Sequence, residues 1–423
     1  MAGIGEPGAR DNIDMRSETV SMNETPSGQR THIGFFGCRN AGKSSLVNAV
    51  TGQELAVVSD VRGTTTDPVM KAMELLPLGP VVIIDTPGFD DAGTLGDLRV
   101  KRTRQVLNRC DLAVLVLDAA AGMRPEDAQL AALMEARGLP HLVAWNKCDI
   151  AAPPAQAARD SIAVSAATGE GVSELKQRLA RLVSALAAPR GMLEGLIRPG
   201  DCVALVCPID ESAPKGRIIL PQQQAIREIL DAGAVAVVAR DAELGRALSR
   251  MGEPPAMVVT DSQAFRAADA VVPQSVPLTS FSILLARSKG FLAAAVAGVA
   301  AIDRLDDGDR VLMAEGCTHH RQCNDIGTVK IPAWLRKHTG KDIAIETCSG
   351  RDFPEDLTPY SLVIHCGGCM LTERDVQVRM RSAAGQGVPF TNYGIAIARM
   401  TGILERSLRP FPELHALVAE EGP

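Results

Sequence analysis

The feature that most constrains this chain is an eight-residue run, Gly37-Cys-Arg-Asn-Ala-Gly42-Lys43-Ser44, set between an apolar stretch (HIGFF) and a helical one (SSLVNAV). It fits G-x-x-x-x-G-K-[ST] and has the strand-before, helix-after setting that the motif needs. Gly37 and Gly42 let backbone N–H groups turn inward around phosphate oxygens, at a helix N-terminus whose dipole favours anions. Lys43 would reach the outer phosphates and Ser44 would ligate Mg2+, with Ser45 beside it in the first turn. An ordinary glycine turn is the competing reading of this run taken alone.

Four further elements follow in the order that a guanine-nucleotide site requires. Gly63-Thr-Thr-Thr-Asp67 supplies hydroxyls in a loop. Asp85-Thr-Pro-Gly88 ends the strand-like VVIID, where the carboxylate of Asp85 can hold Mg2+ through water and Gly88 can meet the γ-phosphate. Asn146-Lys147-Cys-Asp149 ends HLVAW; Asp149 there can accept both N–H donors of a guanine edge, a pattern adenine lacks. Ser165-Ala166 follows SIAV and would close over the base. The expected ligand is therefore GTP with Mg2+.

Residues 31–185 resemble the translation-factor-like GTPases, most closely the TrmE and Era group. The resemblance implies that Thr65 is a switch threonine on Mg2+, so that Lys43, Thr65, Asp85 and Gly88 form the hydrolytic set. It also makes Asn40 the counterpart of an asparagine that helps bind K+ in members activated by that ion. A turn-forming role is the alternative for Asn40. Phe89 stands where other GTPases carry a catalytic glutamine. A phenyl ring cannot orient water, so hydrolysis is expected to be slow without K+ or a partner's group.

At 423 residues, with 46% hydrophobic and 22% charged side chains, the chain has room for about three packed domains. A net charge of −6 and 3% aromatics argue against a nucleic-acid binder that works by bulk electrostatics or base stacking. The most apolar run, Phe291 to Ile302, is too short to span a bilayer and reads as a buried Ala-rich helix. No secretory h-region is visible, and ten cysteines without one point to reduced thiols in a cytoplasmic protein. The fold class expected is α/β: a P-loop GTPase domain followed by two further α/β domains with mainly parallel sheets. The expected divisions are a disordered tail over 1–30, the GTPase over 31–187, a second domain over 195–275 and a third over 276–423.

The third part holds a second constellation. Five of the ten cysteines and four of the seven histidines lie between Cys317 and Cys369. Cys317-Thr-His319 follows the strand-like RVLMAEG, and His365-Cys366-Gly-Gly-Cys369 follows SLVI. Both therefore fall beyond the carboxyl ends of strands, where open α/β sheets place ligands. Cys366 and Cys369 have chelating spacing, and Cys317 makes three thiolates. On spacing, a 4Fe–4S cluster with one exchangeable ligand and a Cys3His zinc site are both open. His319, His365 and Asp325 compete for the fourth position, each also readable as an outer hydrogen-bonding partner. Arg321 and Lys330 are weaker candidates, for offsetting a bound anion's charge.

Taken together, the GTPase, the middle α/β stretch and Cys-x-His … His-Cys-x-x-Cys resemble the FeFe-hydrogenase maturation GTPases over nearly the whole chain. The resemblance implies a homodimer whose middle domain mediates dimerisation and whose last domain binds a 4Fe–4S cluster. It also implies a scaffold and carrier that holds the transient di-iron subcluster of the hydrogenase site. The implied partners are radical-SAM maturases and apo FeFe-hydrogenase, with no membrane and no nucleic acid. A ribosome- or tRNA-acting TrmE/Era-like GTPase with a structural zinc is the rival reading, and a thiol redox enzyme using Cys366 and Cys369 is a third.

Overall fold

The computed structural model describes residues 27–54, 68–89, 103–154, 161–186, 190–209, 218–316, 325–350 and 352–420. Three sheets organise these residues, each flanked by helices.

The first sheet has the order β2-β3-β1-β4-β5-β6. Its strands are β1 (Thr31–Phe36), β2 (Val69–Leu75), β3 (Gly79–Asp85), β4 (Leu112–Asp118), β5 (His141–Asn146) and β6 (Ser161–Ala163). Only β2 runs antiparallel to its neighbour, β3. β1 and β4 are buried almost throughout, as expected of near-continuous apolar strands covered on both faces. The helices Lys43–Thr51 and Val172–Ala185 cover one face. Helical residues 103–109 and the helix Pro125–Ala136 cover the other.

The second sheet is all parallel, in the order β10-β9-β7-β8, built from β7 (Cys202–Val206), β8 (Val235–Ala239), β9 (Met257–Thr260) and β10 (Leu278–Ser280). The third is also all parallel, in the order β12-β11-β13-β14, from β11 (Arg310–Glu315), β12 (Ala344–Ser349), β13 (Leu362–His365) and β14 (Phe390–Asn392). Numbered within each sheet, both orders read 2-1-3-4, so the two units share one topology. In both, the last strand runs straight into a capped helix. Ser280 Oγ accepts from the Ile283 amide, and Asn392 Oδ1 accepts from the Ile395 amide.

Two features differ from the divisions read off the sequence. The second sheet runs past residue 275, because β10 pairs with β9. Its hydrophobic core also continues into that of the third sheet through Phe281, Leu284, Phe291, Ala295, Ile395 and Ala398. The run Phe291 to Ile302 lies inside this shared core as the helix Leu292–Val299 and the turn that follows. At the amino end, Ser27–Gln29 forms a single helical turn and Arg30 is buried, donating to the Met73 carbonyl at 3.0 Å. Residues 27–30, expected to belong to the tail, are thus packed against the GTPase sheet. Among the described residues, no helix is long and apolar enough to cross a membrane.

Candidate functional site

The phosphate loop is built from backbone positions that few side chains tolerate. Gly37 has φ of +145°, and a Cβ on it would lie 2.2 Å from the Val116 carbonyl oxygen of β4. Gly42 has φ of +82°, and its Cβ would meet Asn146 Nδ2 at 2.2 Å. Asn40 (φ 60°) and Lys147 (φ 65°) are the described non-glycine residues with positive φ, and both lie in nucleotide motifs. A left-handed backbone costs such residues about 1–2 kcal/mol, and strain of this kind collects where function holds it in place.

The chemistry-bearing side chains converge on this loop. Lys43 is buried and its Nζ donates to the Cys38 carbonyl at 2.8 Å. Ser44 Oγ donates to Asp85 Oδ2 at 2.6 Å, with Ser45 half-buried beside it. Burial pushes the Asp85 carboxyl up, against the Ser44 hydroxyl and the Lys43 charge, which favour its ionised form. Its other oxygen, Oδ1, is buried with no hydrogen-bond partner among the described residues. A buried carboxylate oxygen without a donor fits an outer ligand of Mg2+. Thr86 Oγ1 donates to the Phe35 carbonyl at 2.6 Å and so fixes the start of the 85–88 turn. Gly88 lies against Arg39, whose Cα would stand 3.0 Å from an added Cβ.

Asn146 knits the base side to the phosphate side. Its Nδ2 donates to the Ala41 carbonyl at 2.9 Å, and its Oδ1 accepts from the Ala166 amide at 3.0 Å. Asp149 is exposed, so its carboxylate is open to a ligand. Ser165 is buried, and its Oγ accepts from the Thr168 amide at 3.1 Å, shaping the closing loop. Phe89 is buried in the core under the sheet rather than facing the phosphates. Thr65 lies outside the described residues, as do Asp90 and Asp91, the polar residues that follow Phe89 in the chain.

Two supporting carboxylates escaped the sequence reading. Asp118, at the end of β4, takes the Lys147 ammonium at 2.6 Å. Asp127 is buried and accepts from the Cys38 amide at 3.2 Å, tying the phosphate loop to the helix Pro125–Ala136. Asp127 also accepts from the Arg124 amide three residues back at 3.2 Å, and that capping spacing was the available signal.

The cysteine site sits at the carboxyl ends of β11 and β13, which are direct neighbours with Ala314 opposite His365. The Gly316 amide, one residue before Cys317, donates to Cys366 Sγ at 3.1 Å. The Gly368 amide donates to the same sulfur at 3.4 Å. The two stretches thus meet at one sulfur. Burial pushes the Cys366 thiol up, opposed by these two amides and by Arg379. Burial and the neighbouring Cys366 push the Cys369 thiol up to about 12, with Lys289 opposing. Thiols held protonated by burial, yet surrounded by amide donors and cations, fit a site where a metal ion completes the charge. Cys317 and His319 lie outside the described residues, and among those described no metal-holding group of three His, Cys, Asp or Glu forms.

His365 is fully buried against Phe291 and Phe390. Its Nδ1–H donates to the Cys366 carbonyl at 2.7 Å, and its Nε2 faces Arg379 Nη1 at 3.4 Å. Both ring nitrogens are engaged. Burial and Arg379 push its pKa down to about 3, so it is neutral. Asp325 caps the turn Ile326–Lys330, accepting from the Thr328 amide at 2.7 Å. Lys330 Nζ donates to Gln263 of the second sheet's unit at 2.5 Å.

Comparison with known proteins bears on both sites. A 50S ribosome-binding GTPase model matches residues 32–147. The hydrogen maturase F dimerization domain matches residues 192–290, and the hydrogen maturase F tetramerization domain matches residues 293–410. The chain belongs to the hydrogen maturase F family. Its first part is a GTPase domain, followed by two domains particular to that family. The tRNA modification GTPase MnmE of Xanthomonas oryzae pv. oryzae is 40% identical over 154 residues, 36% of this chain and 33% of that one. MnmE of Chromobacterium violaceum is 33% identical over 178 residues, 41% of this chain and 39% of that one. The chain spans about a third of the length of the curated relatives it matches. A crystal structure of Aquifex aeolicus Era aligns at 19% identity over 57% of this chain and 98% of that one, with a TM-score of 0.33.

Proposed function

We propose that this chain is a GTP-hydrolysing scaffold and carrier in FeFe-hydrogenase maturation. In this reading Cys317, Cys366 and Cys369 hold a 4Fe–4S cluster beside which the di-iron subcluster of the hydrogenase site is assembled or kept. The subcluster is then passed to apo-hydrogenase. The observation that carries the reading is the 3.1 Å contact of the Gly316 amide with Cys366 Sγ, which brings the Cys317 stretch against the Cys-x-x-Cys loop. When bound, such a cluster supplies an iron whose fourth position can accept a bridging ligand. The engaged ring nitrogens of His365 favour an outer role, locking the loop through the Cys366 carbonyl, and leave His319 as the histidine candidate for the fourth position.

In the GTPase part, Lys43 and the backbone of Gly37–Gly42 would hold the phosphates. Ser44, Thr65 and Asp85 would hold Mg2+, Gly88 would meet the γ-phosphate, and Asn146, Lys147, Asp149 and Ala166 would hold the base. Phe89 is buried and a phenyl ring cannot orient water, which supports slow hydrolysis stimulated by K+ at Asn40. The names of the matched domains support self-association, with the second sheet's unit as the dimerising one. Radical-SAM maturases and apo-hydrogenase are the proposed partners, and the cytoplasm the proposed compartment. The divisions we propose are the GTPase over 31–187, the dimerising domain from 195 and the cluster-binding domain to 423, with β10 belonging to the dimerising sheet.

Iron and sulfide counts with electron paramagnetic resonance on anaerobically purified chain test the reading. About four of each per chain, lost in Cys366→Ser, is the expected result. The MnmE likeness favours one rival, a tRNA- or ribosome-acting GTPase with structural zinc. Zinc near one per chain without iron would establish that rival instead.

A further inference from the structure

The Cys366–Cys369 loop is reached from two sides, through a series of buried side chains from Arg109 of the GTPase part and directly by Gly28, just ahead of that part's first strand. On one side stands Arg109, at the end of helical residues 103–109, an element that follows the Asp85–Gly88 motif in the chain. Its Nε lies 3.6 Å from Asp375 Oδ2. Asp375 Oδ1 accepts from Arg379 Nε at 3.0 Å. Arg379 in turn donates to the Gly350 carbonyl at 2.8 Å and faces His365 Nε2 at 3.4 Å. His365 closes the series on the Cys366 carbonyl at 2.7 Å. Asp375, Arg379 and His365 are all buried, so each depends on its neighbour for compensation.

On the other side stands Gly28. A Cβ there would lie 2.6 Å from the Cys369 carbonyl oxygen and 2.7 Å from that of Leu371. Buried Lys289 clamps the same contact, its Nζ donating to Gly28 O at 3.2 Å and to Leu371 O at 2.8 Å. The φ of Gly28 is not in the left-handed region, so an alanine there tests space alone.

We propose that Arg109 and Gly28 are positioning residues for the metal-binding loop, so that docking of the GTPase part sets how tightly the loop holds its metal. This rests on the reading of the loop as a cluster site given above. Altered outer partners typically change metal affinity about 10–100-fold.

The test uses full-length chain, purified anaerobically, with Gly28→Ala, Arg109→Gln and Arg109→Lys. Iron extraction by a ferrous chelator, the resonance spectrum of the reduced cluster and GTP hydrolysis are measured together. Gly28→Ala and Arg109→Gln should lose iron about tenfold faster and show displaced g-values. Arg109→Lys should restore native behaviour, and hydrolysis should stay within about twofold in all three. Native release rates and spectra in both Gly28→Ala and Arg109→Gln would overturn the proposal. So would loss of hydrolysis in step with iron, which would mark general unfolding. A native chain that carries no iron–sulfur centre would instead sink the cluster reading itself.

Discussion

Ser44 Oγ and Asp85 Oδ2 are 2.6 Å apart, the serine hydroxyl bonding the carboxylate that, in the proposed site, shares its Mg2+. The bond can persist when the ion binds, because the Ser44 oxygen would meet the metal through a lone pair while its O–H still points at the carboxylate. Ser44→Ala and Asp85→Asn should each lower Mg2+-dependent hydrolysis about 100-fold or more, the scale for losing one group that stabilises a transferring phosphoryl. Phosphate release at saturating GTP across a Mg2+ titration checks this. Lys43→Ala should abolish hydrolysis and leave the iron content intact.

Asp149 offers only acceptors to the base. Asp149→Asn replaces one of them with a donor, which opposes the guanine N–H groups and suits the carbonyl that xanthine carries in place of the guanine amino group. Affinity should move from GTP towards XTP by about tenfold or more, about 1.4 kcal/mol or above. Competition between the two nucleotides for a fluorescent analogue measures it.

Cys317→Ser, Cys366→Ser and Cys369→Ser should each remove the brown chromophore and keep GTP hydrolysis. Visible absorption with iron counts, beside a phosphate-release assay, reads both. A Cys366→Ser chain with a full cluster would show the ligand set to be wrong.

Gly37 and Gly52 separate space from conformation. Both have positive φ, at 145° and 67°, but an added Cβ meets the Val116 carbonyl at 2.2 Å in the first case and nothing within 4 Å in the second. Gly52→Ala should cost about 1 kcal/mol and leave hydrolysis alone. Gly37→Ala should cost about 3 kcal/mol or more and disable nucleotide binding. Thermal unfolding with and without GDP compares them.

His32 predicts a pH dependence. Burial, its largest influence, holds its pKa down to about 4, with Arg109 and Lys289 adding to the effect. A depressed folded pKa contributes stability that is present above the unfolded value of about 6.5 and lost as pH falls through the folded one. Asp111, which accepts from the His32 amide at 2.9 Å, acts in the opposite sense. Burial raises its pKa to about 6, so its contribution is lost as pH rises towards that value. Between pH 7 and 5 the two largely offset each other. In His32→Gln only the aspartate term remains, so the stability of the native chain relative to the variant should fall by about 2 kcal/mol over that range. Denaturant unfolding of both chains at pH 7 and pH 5 gives the difference.

The nucleotide site was legible because phosphate and base recognition need short runs of fixed residue types, each at a strand end. Lys43, Ser44, Asp85 and Asn146 accordingly stand together. The meeting of the cysteine stretches was legible in part, since both follow strands, but only the pairing of β11 with β13 makes those strands neighbours. The shared 2-1-3-4 order of the second and third sheets left no repeated sequence. Strand order depends on which apolar faces pack, and many apolar sequences satisfy that. Lys289, Asp375 and Arg379 carried no motif to mark them, because their partners at Gly28, Arg109 and His365 are remote in the chain.

Gly28 has a practical bearing on how the molecule can be divided. It precedes the first strand of the GTPase sheet, yet it packs against carbonyls at residues 369 and 371. A fragment begun at Thr31 would keep every strand of that sheet and still deprive Lys289 of one of its two acceptors. Polypeptide order and spatial neighbourhood part company here, so a recombinant dissection that trims the amino end strips material from the opposite end of the protein.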